Sequence, residues 1–162
     1  MARVYVSLGA NVQPEQNLAL AIEALRQRFG EVELSSVYRS RAVGFEGPPF
    51  LNLVAAFDTD LTPEAIVTML RSIEDWHGRD RNAPRFSSRP LDLDLLLYDE
   101  QVIRRGELQL PREEILEQAF VLRPLAELAP DLIHPLAGRS MAALWRDFQG
   151  DRAGLERIDG AL

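Results

Sequence analysis

Between Arg3 and Tyr98 the apolar residues switch repeatedly between period two and period 3.6, and the order of the switches leaves few folds open. Arg3 to Leu8 alternates apolar and polar, which predicts a strand. A helix follows, with Pro14 near its start, Leu18, Ile22, Leu25 and Phe29 as its apolar stripe and Gly30 as its stop. Val32 to Arg41 is a second strand. Ala42 to Pro49 carries two Gly and two Pro and is a loop. Phe50 to Asp58 is a third strand. Thr62 caps a second helix, with Pro63 at its first position and Ile66, Leu70, Ile73 and His77 along one side. After a polar loop from Gly78 to Pro90, Leu91 to Tyr98 is a fourth strand. The order βαββαβ is the ferredoxin-like pattern, an α+β fold with a mostly antiparallel sheet and both helices on one face. Beyond Tyr98 the chain reads as helical and punctuated by proline. Short helices are expected over Glu113–Ala119, Pro124–Ala129 and Ser140–Phe148, forming a C-terminal helical extension. No repeat, low-complexity tract or linker interrupts the pattern, so one domain over residues 1–162 is expected.

Composition narrows the chemistry. Apolar residues make up 46% of the chain, enough for a packed core, so disorder is excluded. With no cysteine, thiol catalysis and disulfides are excluded too. No apolar run is long enough for a membrane span, so a soluble cytoplasmic protein that does not engage a membrane is expected. The net charge of −7 argues against a nucleic-acid-binding surface. All 18 basic residues are arginine. A P-loop lysine or a Schiff-base lysine is therefore impossible. Any phosphate must be held by guanidinium groups, backbone N–H groups or metal.

The sharpest chemical signal is Leu91-Asp92-Leu93-Asp94-Leu95-Leu96-Leu97. On a strand Asp92 and Asp94 share a face, roughly 6.5–7 Å apart at the backbone. Two carboxylates at that spacing could hold one Mg²⁺ between them or help to hold two. The leucines that follow imply a strand buried on both faces, where an acidic pair needs a compensating cation. Just before it, the loop carries Arg79, Arg81, Arg85 and Arg89, suited to gripping a polyphosphate. Guanidinium groups beside paired carboxylates fit phosphoryl transfer, whose catalysis is mostly positioning and charge neutralisation. Glu74, one turn beyond Leu70, sits where the helix dipole offers a carboxylate nothing, and is a supporting candidate. Phe50 and Asn52 share one face of their strand, an aromatic ring beside an amide that suits a flat heterocycle. His77 and His134 have no partner at ligand spacing and are assigned to structure.

These residues bring out a resemblance. VYVSLGAN, SSVYRS, FLNLVAAFDT, the block from IEDWHGRDR to RPLDLDLLLY, and AFVLRPLAELAPDLIHP resemble the hydroxymethyl-dihydropterin pyrophosphokinases from Val4 to about Pro135. The resemblance implies pyrophosphate transfer from the co-substrate ATP to the hydroxymethyl group of 6-hydroxymethyl-7,8-dihydropterin, giving AMP, in folate biosynthesis. It also implies Asp92 and Asp94 as ligands of two Mg²⁺ ions. Phe50 and Phe120 would sandwich the pterin ring, Asn52 would hydrogen-bond it, and the backbone of Ser40, Arg41, Ala42 and Val43 would read its remaining edge. Arg81, Arg85 and Arg89 would act on the phosphate side, with Phe86 and Leu95 at the nucleotide and Glu74 near the catalytic centre. The loop from Gly78 to Ser88 would be a mobile lid. The partners implied are these two small molecules, without nucleic acid, and a monomer is expected.

The chain departs from the family pattern at definite places. Phe50 stands where Tyr is frequent, Phe86 where Trp is frequent, and Asn82 where a basic residue is. Ser40-Arg41-Ala42 replaces a Thr-Pro-Pro type of run. Arg112 follows Pro111 where the family usually has His, and Gln118 replaces a basic residue. Arg112 is therefore expected at the ATP phosphates, supplying the positive charge that Gln118 lacks. The alternative is a pterin-binding paralogue with weak or absent transfer activity.

Overall fold

The computed structural model describes residues 1–76, 90–152, 154–160 and 162. The elements run β1 (Ala2–Ala10), α1 (Pro14–Phe29), β2 (Glu33–Leu34), β3 (Val37–Ser40), β4 (Phe50–Thr59), α2 (Pro63–Trp76) and β5 (Asp92–Tyr98). The rest are β6 (Ile103–Arg105), β7 (Leu108–Leu110), α3 (Glu114–Glu117), α4 (Ala119–Leu128), α5 (Met141–Arg146) and β8 (Glu156–Ile158). The main sheet has the order β5-β1-β4-β3-β8, with β2 also paired to β4, and every pairing is antiparallel. That is the expected α+β, ferredoxin-like arrangement.

The expected second strand is two pieces, with the break at Ser35 and Ser36, although the Ser35 N–H still donates to the Val54 carbonyl at 2.9 Å. The Ser35 hydroxyl takes over a strand bond there, accepting from the Val54 N–H at 2.9 Å. The region after Tyr98 is a correction: it begins with the β6–β7 hairpin, not with helix. Ile103 and Leu110 are apolar two-period positions that bury against the core on either side of a Gly106 turn with positive φ. The helix expected from Pro124 begins at Ala119, with Pro124 inside it. Pro124 removes one N–H, but Val121, Leu122 and Leu125 on the same face bury completely against the sheet, which outweighs that loss. The C-terminal strand β8 was not expected. Its three residues carry no alternating pattern, and pairing to β3 alone makes them a strand.

Both faces of the sheet are covered. Leu18, Ile22, Leu25, Ile66, Leu70 and Ile73 of α1 and α2 pack on one face, against Val4, Val6, Leu8, Leu53, Phe57, Leu93 and Leu95. Ile115, Val121, Leu122, Leu125 and Met141 pack on the other, against Tyr5, Val54, Leu96 and Leu97. Strict alternation would return Leu97 to the Leu95 side. A bulge between β1 and β5 prevents it: Tyr5 pairs with Leu97 while Val6 pairs with Leu95. The extra residue, Leu96, lets two successive leucines face the C-terminal helices. This accounts for an Asp-flanked strand that runs into three leucines without a break.

Two polar bolts fix the C-terminal layer. The Glu127 carboxylate on α4 accepts from the Ser36 N–H at 2.9 Å, the Ser36 hydroxyl at 3.0 Å and the Tyr38 hydroxyl. Burial, reinforced by Glu127, pushes the Tyr38 phenol up to about 12. Buried His134 is the second bolt. Its Nδ1 accepts from the N–H groups of Leu136 at 3.1 Å and Ala137 at 3.0 Å, so the ring is neutral with its proton on Nε2. Burial lowers its pKa from 6.5. The unfolded chain binds the proton first, so His134 contributes stability above about pH 6.5 that is lost as pH falls through the lower folded value. Thermal melts from pH 8 to pH 5 should show a decline that His134→Gln flattens. An unchanged pH profile in the variant would remove His134 from the account.

Candidate active site

The C-terminal helices cover only part of their face of the sheet. At the uncovered end, Ser7 and Gly9 of β1, Asn52 of β4 and Asp92 and Asp94 of β5 form the floor of a groove of about 800 Å³. Its walls come from Ser40, Arg41, Val43 and Phe45 on one side and from Glu107, Gln109, Arg112, Glu114, Gln118 and Phe120 on the other. A side cavity of about 200 Å³ opens between α2, β5 and the β6–β7 hairpin and is lined by Leu70, Leu95, Leu108 and Leu110. Arg71, Asp94, Glu107, Gln109 and Arg112 border both, so the two spaces form one cleft.

The sheet register sets the geometry of the floor. Asp92 pairs with Gly9, and Gly9 pairs with Asn52. The amide and the first carboxylate therefore stand in one row on the same face, two strand spacings or roughly 9.6 Å apart. Gly9 between them leaves a bare strip of backbone. A Cβ there would stand 3.3 Å from Asn52 Oδ1 and 3.9 Å from the Phe50 ring, so any side chain would crowd both. Asn52 is buried and oriented. Its Nδ2 donates to Ser40 Oγ at 2.8 Å and to the Tyr38 carbonyl at 3.3 Å, which directs Oδ1, an acceptor, towards Gly9. The Phe50 ring is met edge-on by Phe45, with centroids 6.4 Å apart and planes at 89°.

The acidic side is charged and strained electrostatically. Burial first, and then the Asp92 charge, push the Asp94 carboxyl up to about 7 against the pull of Arg112. Arg112 Nη2 lies 3.4 Å from Asp94 Oδ1. Hard oxygen donors held together at this cost match a divalent cation, which would relieve both effects. Behind the pair, Glu74 is fully buried and its Oε2 accepts from the Leu93 N–H at 2.8 Å. Its Oε1 lies 3.5 Å from Arg71 Nη1. Glu74 thus holds the backbone between the two aspartates and lines neither space.

The groove gathers Phe50, Asn52, Phe120, Ser40, Arg41, Val43, Asp92, Asp94 and Arg112, as read from the sequence. Ala42 is half-buried beside the groove but is not one of its walls, and Leu95 faces the side cavity. Arg81, Arg85, Phe86 and Arg89, with His77 and the loop to Ser88, lie outside the described residues. Sequence reasoning missed Phe45 and the acidic wall of Glu107, Glu113, Glu114 and Glu117. Phe45 carried a usable signal, an aromatic residue within a loop rich in Gly and Pro. The glutamates look like solvated turn and helix-end residues.

A model of the 7,8-dihydro-6-hydroxymethylpterin-pyrophosphokinase family matches residues 5–130. The chain belongs to this family. A 2-amino-4-hydroxy-6-hydroxymethyldihydropteridine pyrophosphokinase of Pseudomonas aeruginosa is 40% identical over 98% of this chain and 98% of its own length. A relative of the same name from Aquifex aeolicus is 38% identical over 84% of this chain and 86% of its own length. Among solved structures, the HPPK-DHPS protein of Plasmodium falciparum matches the fold with a TM-score of 0.75 at 12% identity. That match covers 98% of this chain and 47% of the other, so this chain spans about half of the longer one. The family model spans the whole of β1 to β5 apart from the first residues of β1, and includes all of α3 and α4. Every groove residue named above falls inside it.

Proposed function

We propose that the chain transfers pyrophosphate from ATP to the hydroxymethyl group of 6-hydroxymethyl-7,8-dihydropterin, releasing AMP, in folate biosynthesis. Its family makes it an ATP-dependent diphosphotransferase. The observation that carries the residue-level reading is the row Asp92–Gly9–Asn52, which puts an oriented amide and an acidic pair at opposite ends of a bare strip. A flat ring held at Asn52 would extend a one-carbon arm along Gly9 towards Asp92 and Asp94. The reaction forms a bond from the pterin hydroxyl oxygen to the β-phosphorus and breaks the bond from that phosphorus to the α–β bridging oxygen. The hydroxyl proton is released and AMP leaves.

The residues divide the work. Phe50 and Phe120 flank the ring, and the backbone from Ser40 to Val43 reads its edge. Leu95 and its apolar neighbours in the side cavity accept the adenine. Arg112 neutralises phosphate charge, as do Arg81, Arg85 and Arg89 of the loop. Asp92 and Asp94 would hold Mg²⁺, two ions in this reading, which would supply neutralisation of phosphate charge. Glu74 keeps the two aspartates in register. The domain acts alone, as a monomer.

The test of the reaction is AMP release from ATP. It should require both the pterin alcohol and Mg²⁺, and AMP formation without the pterin would overturn the assignment. A finer test concerns Ser40. Its hydroxyl commits Asn52 Nδ2 and leaves Oδ1 for a ring N–H. Ser40→Ala should weaken pterin binding about fivefold to tenfold, the scale of one buried hydrogen bond. Ser40→Thr should not. Fluorescence titration of the pterin with a Mg²⁺-bound α,β-methylene analogue of ATP present reads this directly. Equal affinities for Ala and Thr would mean that Asn52 needs no orienting partner.

A further inference from the structure

Arg112 stands between two acids. Its Nε donates to Glu114 Oε1 at 2.9 Å, and its Nη2 lies 2.8 Å from the same oxygen as an ion pair. The same Nη2 lies 3.4 Å from Asp94 Oδ1, close enough for strong attraction but long for a hydrogen bond. Its backbone N–H donates to the Leu96 carbonyl at 3.0 Å, so the residue is pinned beside the bulge of β5 and only its side chain can move. Among the described residues Nη1 has no hydrogen-bond partner. The guanidinium is therefore shared unequally, with Glu114 holding one edge and Asp94 pulling on it.

We propose that Glu114 is a positioning residue for Arg112, holding the guanidinium off Asp94 so that the acidic pair stays open to a divalent cation and the far edge of Arg112 stays free for phosphate. This deepens the reading of the site as one for Mg²⁺ and ATP, and rests on it. The argument is a competition. An arginine that settles on Asp94 neutralises the carboxylate a cation needs, and a charge-assisted pair inside a half-buried groove is slow to give way. Glu114 offers the same guanidinium a second carboxylate, with a hydrogen bond from Nε and an ion pair to Nη2 on one oxygen. A long cation thus stands next to the acidic pair, and Glu114 is the group that keeps that cation from blocking it.

A double-mutant cycle tests this, using Mg²⁺ with the α,β-methylene analogue of ATP as the titrant and isothermal calorimetry as the readout. Glu114→Gln keeps the shape and removes the charge. It should weaken binding of the Mg²⁺ complex about tenfold, within the range of one charged hydrogen bond. Arg112→Ala should also weaken binding, through loss of the phosphate contact. Adding Glu114→Gln to Arg112→Ala should then change nothing further, because there is no guanidinium left to hold. Melting in chelator confirms that each variant is folded, and pterin affinity should be untouched. An equal loss in both backgrounds would mean that Glu114 acts independently of Arg112, and wild-type affinity in Glu114→Gln would mean that it does nothing here; either overturns the proposal. Failure of the wild type itself to bind the analogue would instead overturn the nucleotide reading of the site, and this proposal with it.

Discussion

Asp94→Asn is expected to abolish pyrophosphoryl transfer in a protein that stays folded. The loss follows from the donor chemistry. Mg²⁺ prefers charged oxygen ligands, and an amide in place of one carboxylate leaves a weak site. Metal-assisted charge neutralisation contributes several kcal/mol, so turnover should fall by about a thousandfold or more, which corresponds to roughly 4 kcal/mol. Stability should move the other way. In the metal-free protein the Asp94 charge is disfavoured by burial and by Asp92, which is why its carboxyl is pushed up to about 7. At pH 8, in chelator, the neutral variant should therefore melt at a higher temperature than the parent. Adding Mg²⁺ should raise the melting temperature of the parent more than that of the variant. Asp92→Asn should lose activity to a similar degree. Near-native turnover of either variant at saturating Mg²⁺ would remove the carboxylates from the metal site.

The contrast between Asp92 and Gly9 explains what could be read in the sequence. A pair of aspartates two apart in an apolar strand is a local pattern, visible without knowing the partner strand. So are the helical stripe from Leu18 to Phe29, the Thr62–Pro63 helix start and the stop at Gly30. These carry the core fold, and the structure bears them out. The row that joins Asp92, Gly9 and Asn52 is not local. It depends on the register of three strands drawn from distant parts of the chain, and no spacing within one segment encodes it. The hairpin at Ile103–Leu110 was missed for a related reason. Its strands are three residues each, too short for two-period alternation to stand out, and Arg104 and Arg105 within the first of them look like loop. Strand β8 exists only because β3 offers an edge. Arg112 is expected at the phosphates through the family resemblance; its tie to Glu114 depends on a turn geometry that the sequence does not display.

Glu74→Ala should damage both stability and turnover although Glu74 lines neither the groove nor the side cavity. The carboxylate is completely buried, and its Oε2 takes the Leu93 N–H at 2.8 Å. Leu93 is the residue between Asp92 and Asp94, so this bond fixes the backbone from which both aspartates project. Removing the acceptor leaves that N–H buried without its partner and opens a void beneath β5. Together these should cost about 2–4 kcal/mol, measured by urea denaturation. The loss of a buried charge offsets part of that cost, which is why the figure stays below the largest core truncations. A displacement of the aspartates by even about 1 Å would lower turnover by roughly a hundredfold. Glu74→Gln separates the two effects of the side chain. The amide oxygen can still accept from Leu93, so stability should largely return. Turnover should return with it if Glu74 acts by holding β5 in place. A Gln variant that is stable but as slow as the Ala variant would show that the charge itself is required at the centre, and that Glu74 does more than position its neighbours.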